Sequence, residues 1–313
     1  MPTERLNQYS KPRLREPRAL NRLARRFIVW LYTHARIAPA EVVNIDNSLE
    51  RASELLNQGY GLWILGTHFS KREGFDMDIL PAQFIPELNS RILVSPISLH
   101  QRLDHPHMID FVSWLTAATI TPVVNADAMK ENNRNEAERR LKREITLGEG
   151  VRPYARLVGE ATRKGGAAAI APQAGRRTSL ELSQAKAKTV EYLLALSKTE
   201  RDSKLAFLFM SMSPMEKVDY EEIKDSFNLK MKYKITFATL TLSEIYDLLD
   251  KVNERLAISP IEEKKQLTID ELILIILSLP ISPDYNKIDP AYADLLASTI
   301  EIDAMEAIPT QHE

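Results

Sequence analysis

His68 and Glu73 are a histidine and a carboxylate with four residues between them, placed directly after the apolar run Leu62-Trp63-Ile64-Leu65. An apolar run of that length, closed by Gly66-Thr67, reads as a buried strand. That reading puts His68 at the strand's carboxyl edge, with Glu73 just ahead of a helix. In open α/β sheets, ligands bind outside the carboxyl ends of the strands. A histidine in such a place acts as a general base when an acid orients its ring. The competing structural reading is a buried histidine that caps a strand end.

A second stretch has the composition of an anion site. Gly166-Ala167-Ala168-Ala169-Ile170-Ala171 reads as a buried strand, Pro172-Gln173-Ala174-Gly175 as a turn of mostly small residues, and Arg176-Arg177 follow. Small residues let backbone approach a ligand, and exposed amides beside arginine bind anions. The steric alternative is a tight strand-to-loop turn that carries Pro and Gly for its own geometry. Residues 125–150 are charged and poor in apolar residues. Arg134, Arg139, Arg140, Lys142 and Arg143 stand there among Glu131, Glu136, Glu138 and Glu144. Pairing at i,i+4 on an exposed helix is the default reading. The functional one turns two or three of these cations inward onto a phosphate.

Taken in order, strand-His-x4-acid and then strand-Pro-x-x-Gly-Arg resemble the glycerolipid acyltransferases, the glycerol-3-phosphate and lysophosphatidate acyltransferases. The resemblance covers roughly residues 40–240. The family's third block reads Pro-Glu-Gly-Thr-Arg or, in the soluble plastid-type enzymes, Ala-Pro-Ser-Gly-Gly-Arg. Ala171-Pro172-Gln173-Ala174-Gly175-Arg176 is closer to the second form. A later strand ending in proline is also expected, and Lys204–Met212 with Ser213-Pro214 fits it. The chain departs from the pattern at Glu73, where Asp is usual, and at Thr67, where Asn is usual. Asp76 and Asp78 are alternative acids if the loop carries an insertion. For the family's glycine-rich second block, the basic region 134–143 is the stand-in.

The resemblance implies acyl transfer from acyl-CoA or acyl-carrier protein to a hydroxyl of glycerol-3-phosphate or a lysophospholipid, a step of phospholipid biosynthesis. His68 would take the hydroxyl proton as the oxygen attacks the thioester carbonyl, with Glu73 holding the imidazole as the acid of a triad does. Arg176, Arg177 and one or more of Arg139, Lys142 and Arg143 would neutralise the acceptor phosphate, with Gln173 and Gly175 in the same substrate-binding turn. The thioester is a substrate, and no cofactor or metal is implied. Two other readings stay open: a non-catalytic anionic-lipid-binding protein on the same fold, and a hydrolase using water as acceptor. The hydrolase lacks a Gly-x-Ser-x-Gly nucleophile turn.

The elements that must position these residues follow from pattern and composition. The 313 residues suffice for one large domain, or one domain with a small helical one. There is no cysteine, which excludes disulfides, thiolate nucleophiles and Cys-based zinc sites. Residues 1–30 carry eight Arg or Lys against two Glu, and residues 241–313 carry fifteen Asp or Glu against five Arg or Lys. A basic front end suits an anionic surface, phospholipid or nucleic acid, and the lipid reading is preferred over nucleic acid. Leu20, Leu23, Ala24, Phe27, Ile28 and Leu31 recur at helical spacing, with Arg18, Arg22, Arg25 and Arg26 mostly on the other side. This is either an interfacial membrane helix over residues 17–32 or a helix docked on the domain with its charges in water. No apolar stretch reaches the length of a membrane span and no signal peptide is evident, so a cytoplasmic chain, or at most one attached to a membrane surface, is expected.

Helices are expected at Ser48–Asn57, from Asp76 to Phe84, at Met108–Ala118 and at Val151–Lys164, and strands at 91–95, where Pro96 ends the run, and at 120–124 and 231–238. His100, Asp104, His105 and His107 surround Pro106 and fit no helical metal-ligand motif, so they read as a polar loop near the cleft. Thr241–Glu244 and Thr268–Glu271 have capping-box spacing, and Leu272–Leu279 is apolar nearly all round, hence buried. The fold expected is α/β, a mixed, mostly parallel sheet flanked by helices, with helical additions at both ends. The parts are a basic N-terminal segment (1–40), the α/β domain (41–240) and a C-terminal helical extension (241–313).

Overall fold

A computed structural model describes residues 13–34, 41–68, 71–98, 106–123, 147–173, 179–217, 219, 231–258 and 266–306. In chain order they form α1 (Ala19–His34), β1 (Glu41–Asn44), α2 (Ser48–Asn57), β2 (Gly61–Gly66), α3 (Lys71–Phe84), β3 (Leu93–Ser98), α4 (Pro106–Thr116), β4 (Thr119–Val123) and α5 (Leu147–Arg163). Then come β5 (Ala167–Ile170), α6 (Thr189–Ser197), β6 (Leu205–Pro214), β7 (Tyr233–Thr241), α7 (Leu242–Leu256), α8 (Ile269–Ser278) and α9 (Pro290–Glu306). The seven strands make one sheet in the order β1-β7-β6-β2-β5-β3-β4. Every pairing is parallel except β6 with β7. The fold is therefore α/β with a mixed, mostly parallel sheet, helices on its faces and helical additions at both ends.

Strand alternation sorts the core into two layers. Leu62 and Ile64 of β2 face a layer with Met77, Ile79 and Leu80 of α3. Trp63 and Leu65 face the other, with Tyr154, Leu157 and Val158 of α5 and Val190, Leu193 and Leu194 of α6. The indole of Trp63 keeps its one donor satisfied at this depth by bonding Thr162 Oγ1 at 2.9 Å. Gly61 lies so close to α5 that a Cβ there would stand 2.6 Å from the Thr162 Cα. The helix is thus seated directly on the strand.

Both capping boxes form, Thr241 with Glu244 at the start of α7 and Thr268 with Glu271 at the start of α8. Every residue of α8 is buried, as an all-round apolar helix requires. Its Asp270 carboxylate accepts the Val190 and Glu191 amides at 2.8 and 2.9 Å. Those are first-turn donors of α6, whose own N-cap, Lys188, makes no side-chain cap bond. The amides favour the charged carboxylate, but burial outweighs them and raises the Asp270 pKa.

Three expectations are corrected. β3 does not stop at Pro96 but runs to Ser98. Its pairing with β5 ends at Val94, and beyond that it pairs with β4 alone, the edge setting in which a proline is tolerated. α3 begins at Lys71, so Glu73 lies inside the helix rather than ahead of it. The largest correction concerns α1. The expected docked helix with its charges in water is wrong for Arg25, which is buried while Leu20, Leu23, Phe27, Trp30 and Leu31 are exposed. The guanidinium has found better partners than water. Its Nε donates to Thr116 O at 2.5 Å, and its Nη1 donates to Arg91 O at 2.7 Å, Leu88 O at 3.1 Å and Asn89 O at 3.4 Å. Thr116 ends α4, where the helix dipole favours a cation. Burial pulls the Arg25 pKa down to about 10, which leaves it charged at neutral pH.

Arg25→Ala strips these carbonyls of their donor. Chemical denaturation is expected to show a loss of about 2–4 kcal/mol. A loss under about 0.5 kcal/mol, the range of ordinary surface substitutions, would contradict this account of how α1 docks.

Candidate functional site

β2 and β5 are adjacent parallel strands whose onward connections go to opposite faces. After β2 the chain enters α3, in the layer with Leu62 and Ile64. After β5 it leads to α6, in the layer with Trp63 and Leu65. Two connections that part in this way leave a crevice at the carboxyl ends of their strands, the place where open α/β sheets bind ligands.

His68 follows the carboxyl end of β2 and is half-buried. Its position is fixed from both sides. On the β6 side, Thr67 is fully buried, and its hydroxyl accepts the Met212 amide at 3.0 Å and donates to the Met212 carbonyl at 3.4 Å. Thr67, standing where the resembled family has Asn, thus pins the loop to β6. On the β5 side, the His68 amide donates to Gln173 Oε1 at 2.6 Å. Gln173 is fully buried, and its Nε2 has no hydrogen-bond partner. Gly66 allows α3 to close on the strand end, because a Cβ there would overlap the Met77 sulfur.

The two stretches singled out in the sequence therefore meet, at His68 and Gln173. Glu73 lies near the start of α3, and its side chain is outside the described residues. So are Gly175, Arg176, Arg177, Arg139, Lys142 and Arg143 in full, together with His100, Asp104 and His105. His107 is an exposed residue of α4. Among the described residues no group of three or more His, Asp or Glu converges as a metal site.

Both alternative acids point into the protein. Asp76 is fully buried and accepts the Tyr32 hydroxyl of α1. Asp78 accepts the Ser95 hydroxyl of β3 at 2.7 Å. Burial of the Asp78 carboxyl raises its pKa from 3.8 to about 7, against the opposing effect of Ser95. Beside it, the Tyr154 hydroxyl donates to Ala169 O at 2.6 Å. That carbonyl faces β3 just past Ala168, where the pairing with β3 stops. Tyr154 takes the place of the missing strand partner there. In the sequence Tyr154 is legible only as an apolar helix position, and nothing local signals this bond. Its phenol pKa is raised well above the ordinary value by burial and by the Asp78 charge.

Compared with family models and with curated proteins, the chain has no match.

Asp78 carries a pH dependence. The folded state holds its proton up to about pH 7, whereas the unfolded chain releases it near 3.8. Between those values the folded state binds more protons, so stability falls as pH rises and levels off above about 7. In urea titrations Asp78→Asn is expected to remove roughly 2–3 kcal/mol of the wild-type loss between about pH 5 and about pH 8. An unchanged pH profile in the variant would show that the carboxyl is not held in this state.

Proposed function

We propose that the chain transfers an acyl group from a coenzyme A or carrier-protein thioester to a hydroxyl of glycerol-3-phosphate or a lysophospholipid. The observation that carries this reading is the 2.6 Å hydrogen bond from the His68 amide to Gln173 Oε1. It joins a histidine at one strand end to the turn that runs on to Gly175, Arg176 and Arg177. A proton acceptor and an anion-binding sequence then follow the carboxyl ends of two adjacent parallel strands at a topological switch point.

The chemistry needs few parts. A glycerol hydroxyl becomes a competent nucleophile when a base removes its proton during attack. Neutral His68 takes that proton, and an acid on the following segment, Glu73 in the reading from sequence, stabilises the imidazolium that forms. The oxygen forms a bond to the thioester carbon, the tetrahedral oxyanion collapses, and the C–S bond breaks. The thiolate leaves with the proton held by His68. The chain has no cysteine, and a direct transfer needs no acyl-enzyme. Gln173 has two jobs here: Oε1 holds the His68 main chain, and the Nε2 donor is left for a substrate oxygen. Arg176 and Arg177 meet the acceptor phosphate, the geometry for which a guanidinium fork is suited.

The second reading, a non-catalytic anionic-lipid-binding protein, has one observation in its favour, the exposed apolar and basic side of α1. Activity separates the two. Full-length protein is expected to incorporate labelled acyl groups from acyl-CoA or acyl-carrier protein into glycerol-3-phosphate or lysophosphatidate. His68→Ala lowers the rate by at least about 100-fold. Gln173→Glu keeps an acceptor for the His68 amide but loses the Nε2 donor, and lowers the rate on the order of 100-fold. No incorporation with either donor and either acceptor overturns the catalytic reading.

A further inference from the structure

Away from the crevice the molecule shows a surface that packing leaves uncovered. Leu20, Leu23, Phe27, Trp30 and Leu31 of α1 are 48–65% exposed. At 100° per residue they fall within an arc of about 100°, roughly opposite Arg25 and Tyr32. Arg25 and Tyr32 are the buried residues of this helix. The helix thus docks through Arg25 and Tyr32 with Ile28 and Val29 packed beside them, and turns a second apolar stripe outward.

The neighbouring helix repeats the pattern. Met108, Phe111 and Trp114 of α4 are 58–59% exposed at helical spacing. The two helices lie together, since the Asn21 side chain donates to Trp114 O at 2.9 Å and Leu115 O at 3.1 Å, beside the Arg25 bond to Thr116. On each helix the rings group, Phe27 with Trp30 at 5.9 Å between centroids and Phe111 with Trp114 at 6.2 Å. Large apolar side chains concentrated in this way mark a docking surface rather than scattered exposure.

Charge selects the occupant. Arg18, Arg22 and Arg26 are exposed, and Arg26, with Arg22 further round the helix, lies on one side of the apolar arc. Among the described residues, acids near this face include Glu16, paired with Lys164 at 3.6 Å, Asp110 on α4, and Glu87 on the Pro86–Ser90 turn that packs against α1. A second copy of the chain would bring the same arginines face to face across a two-fold contact, where like charges oppose association. An anionic lipid surface instead offers phosphates to the arginines and acyl chains to the stripe. Trp30 and Trp114 are of the type favoured at the water–lipid boundary. Among the described residues no helix is long and apolar enough to cross a membrane, so the contact lies along the surface.

We propose that α1 and α4 together form a docking face for anionic phospholipid membranes, with their apolar side chains in the acyl boundary and Arg18, Arg22 and Arg26 at the headgroups. This stands whether or not the crevice transfers acyl groups. Flotation of the full-length protein with phosphatidylcholine vesicles, with and without phosphatidylglycerol, tests it. Binding is expected with the anionic vesicles, weakened by added salt. Phe111→Ser with Trp114→Ser, and separately Phe27→Ser with Trp30→Ser, are expected to lower the partition coefficient at least about tenfold. Both pairs are exposed, so circular dichroism stays at the wild-type signal. Arg22→Glu with Arg26→Glu removes the preference for the anionic vesicles. Absent binding to those vesicles overturns the proposal, as does wild-type binding by the α4 variant. Self-association without lipid that the serine variants abolish also overturns it, and assigns the face to a second copy.

Discussion

The bond between the His68 amide and the Gln173 side chain joins two connections that the sheet sends to opposite faces. β2 and β5 run side by side, yet α3 and α6 lie in different core layers. A buried amide left without an acceptor costs about 1–3 kcal/mol, and Gln173 Oε1 removes that cost while drawing the loops together. Thr67 holds the same loop to β6. The histidine therefore stands on a backbone restrained on both flanks, the condition a general base needs to keep its reach to a substrate hydroxyl.

Much of this was legible in the sequence where one local physical rule decides the outcome. The run Leu62–Leu65 between glycines became β2, Ser48–Asn57 became α2, and both threonine-glutamate capping boxes formed. The burial of α8 followed from its lack of a polar face. What escaped was set by partners far along the chain. Arg25 looks like one of four solvated arginines until Leu88, Asn89, Arg91 and Thr116 bring their carbonyls to it. Pro96 looks like a strand end until the partner on one side is seen to stop at Val94. In the site, the resemblance implies one cleft shared by the histidine loop and the arginine-bearing turn, but it does not foretell that His68 and Gln173 are the residues that join them. No local pattern tells that Gln173 spends its oxygen on the His68 main chain and keeps its nitrogen, or that Tyr154 serves Ala169.

The crevice and the outward face of α1 are joined through α3. That helix begins three residues after His68 and carries Asp76, which takes the hydroxyl of Tyr32 on α1. The same helix carries Asp78, whose carboxyl, bonded by Ser95 and close to Tyr154, is kept neutral up to about pH 7 by burial. Buried polar groups thus tie α1 to the segment that follows the histidine. Such groups are costly unless each is satisfied, which ties the position of α1 to that of α3.

The most direct test of this arrangement is the hydrogen-exchange rate of the His68 backbone amide, read by NMR in the wild type and in Gln173→Leu. The account predicts a protected amide in the wild type, and fast exchange at His68 in the variant with the β2 core amides unchanged. A His68 amide that exchanges freely in the wild type, or that stays protected without Gln173, would contradict it.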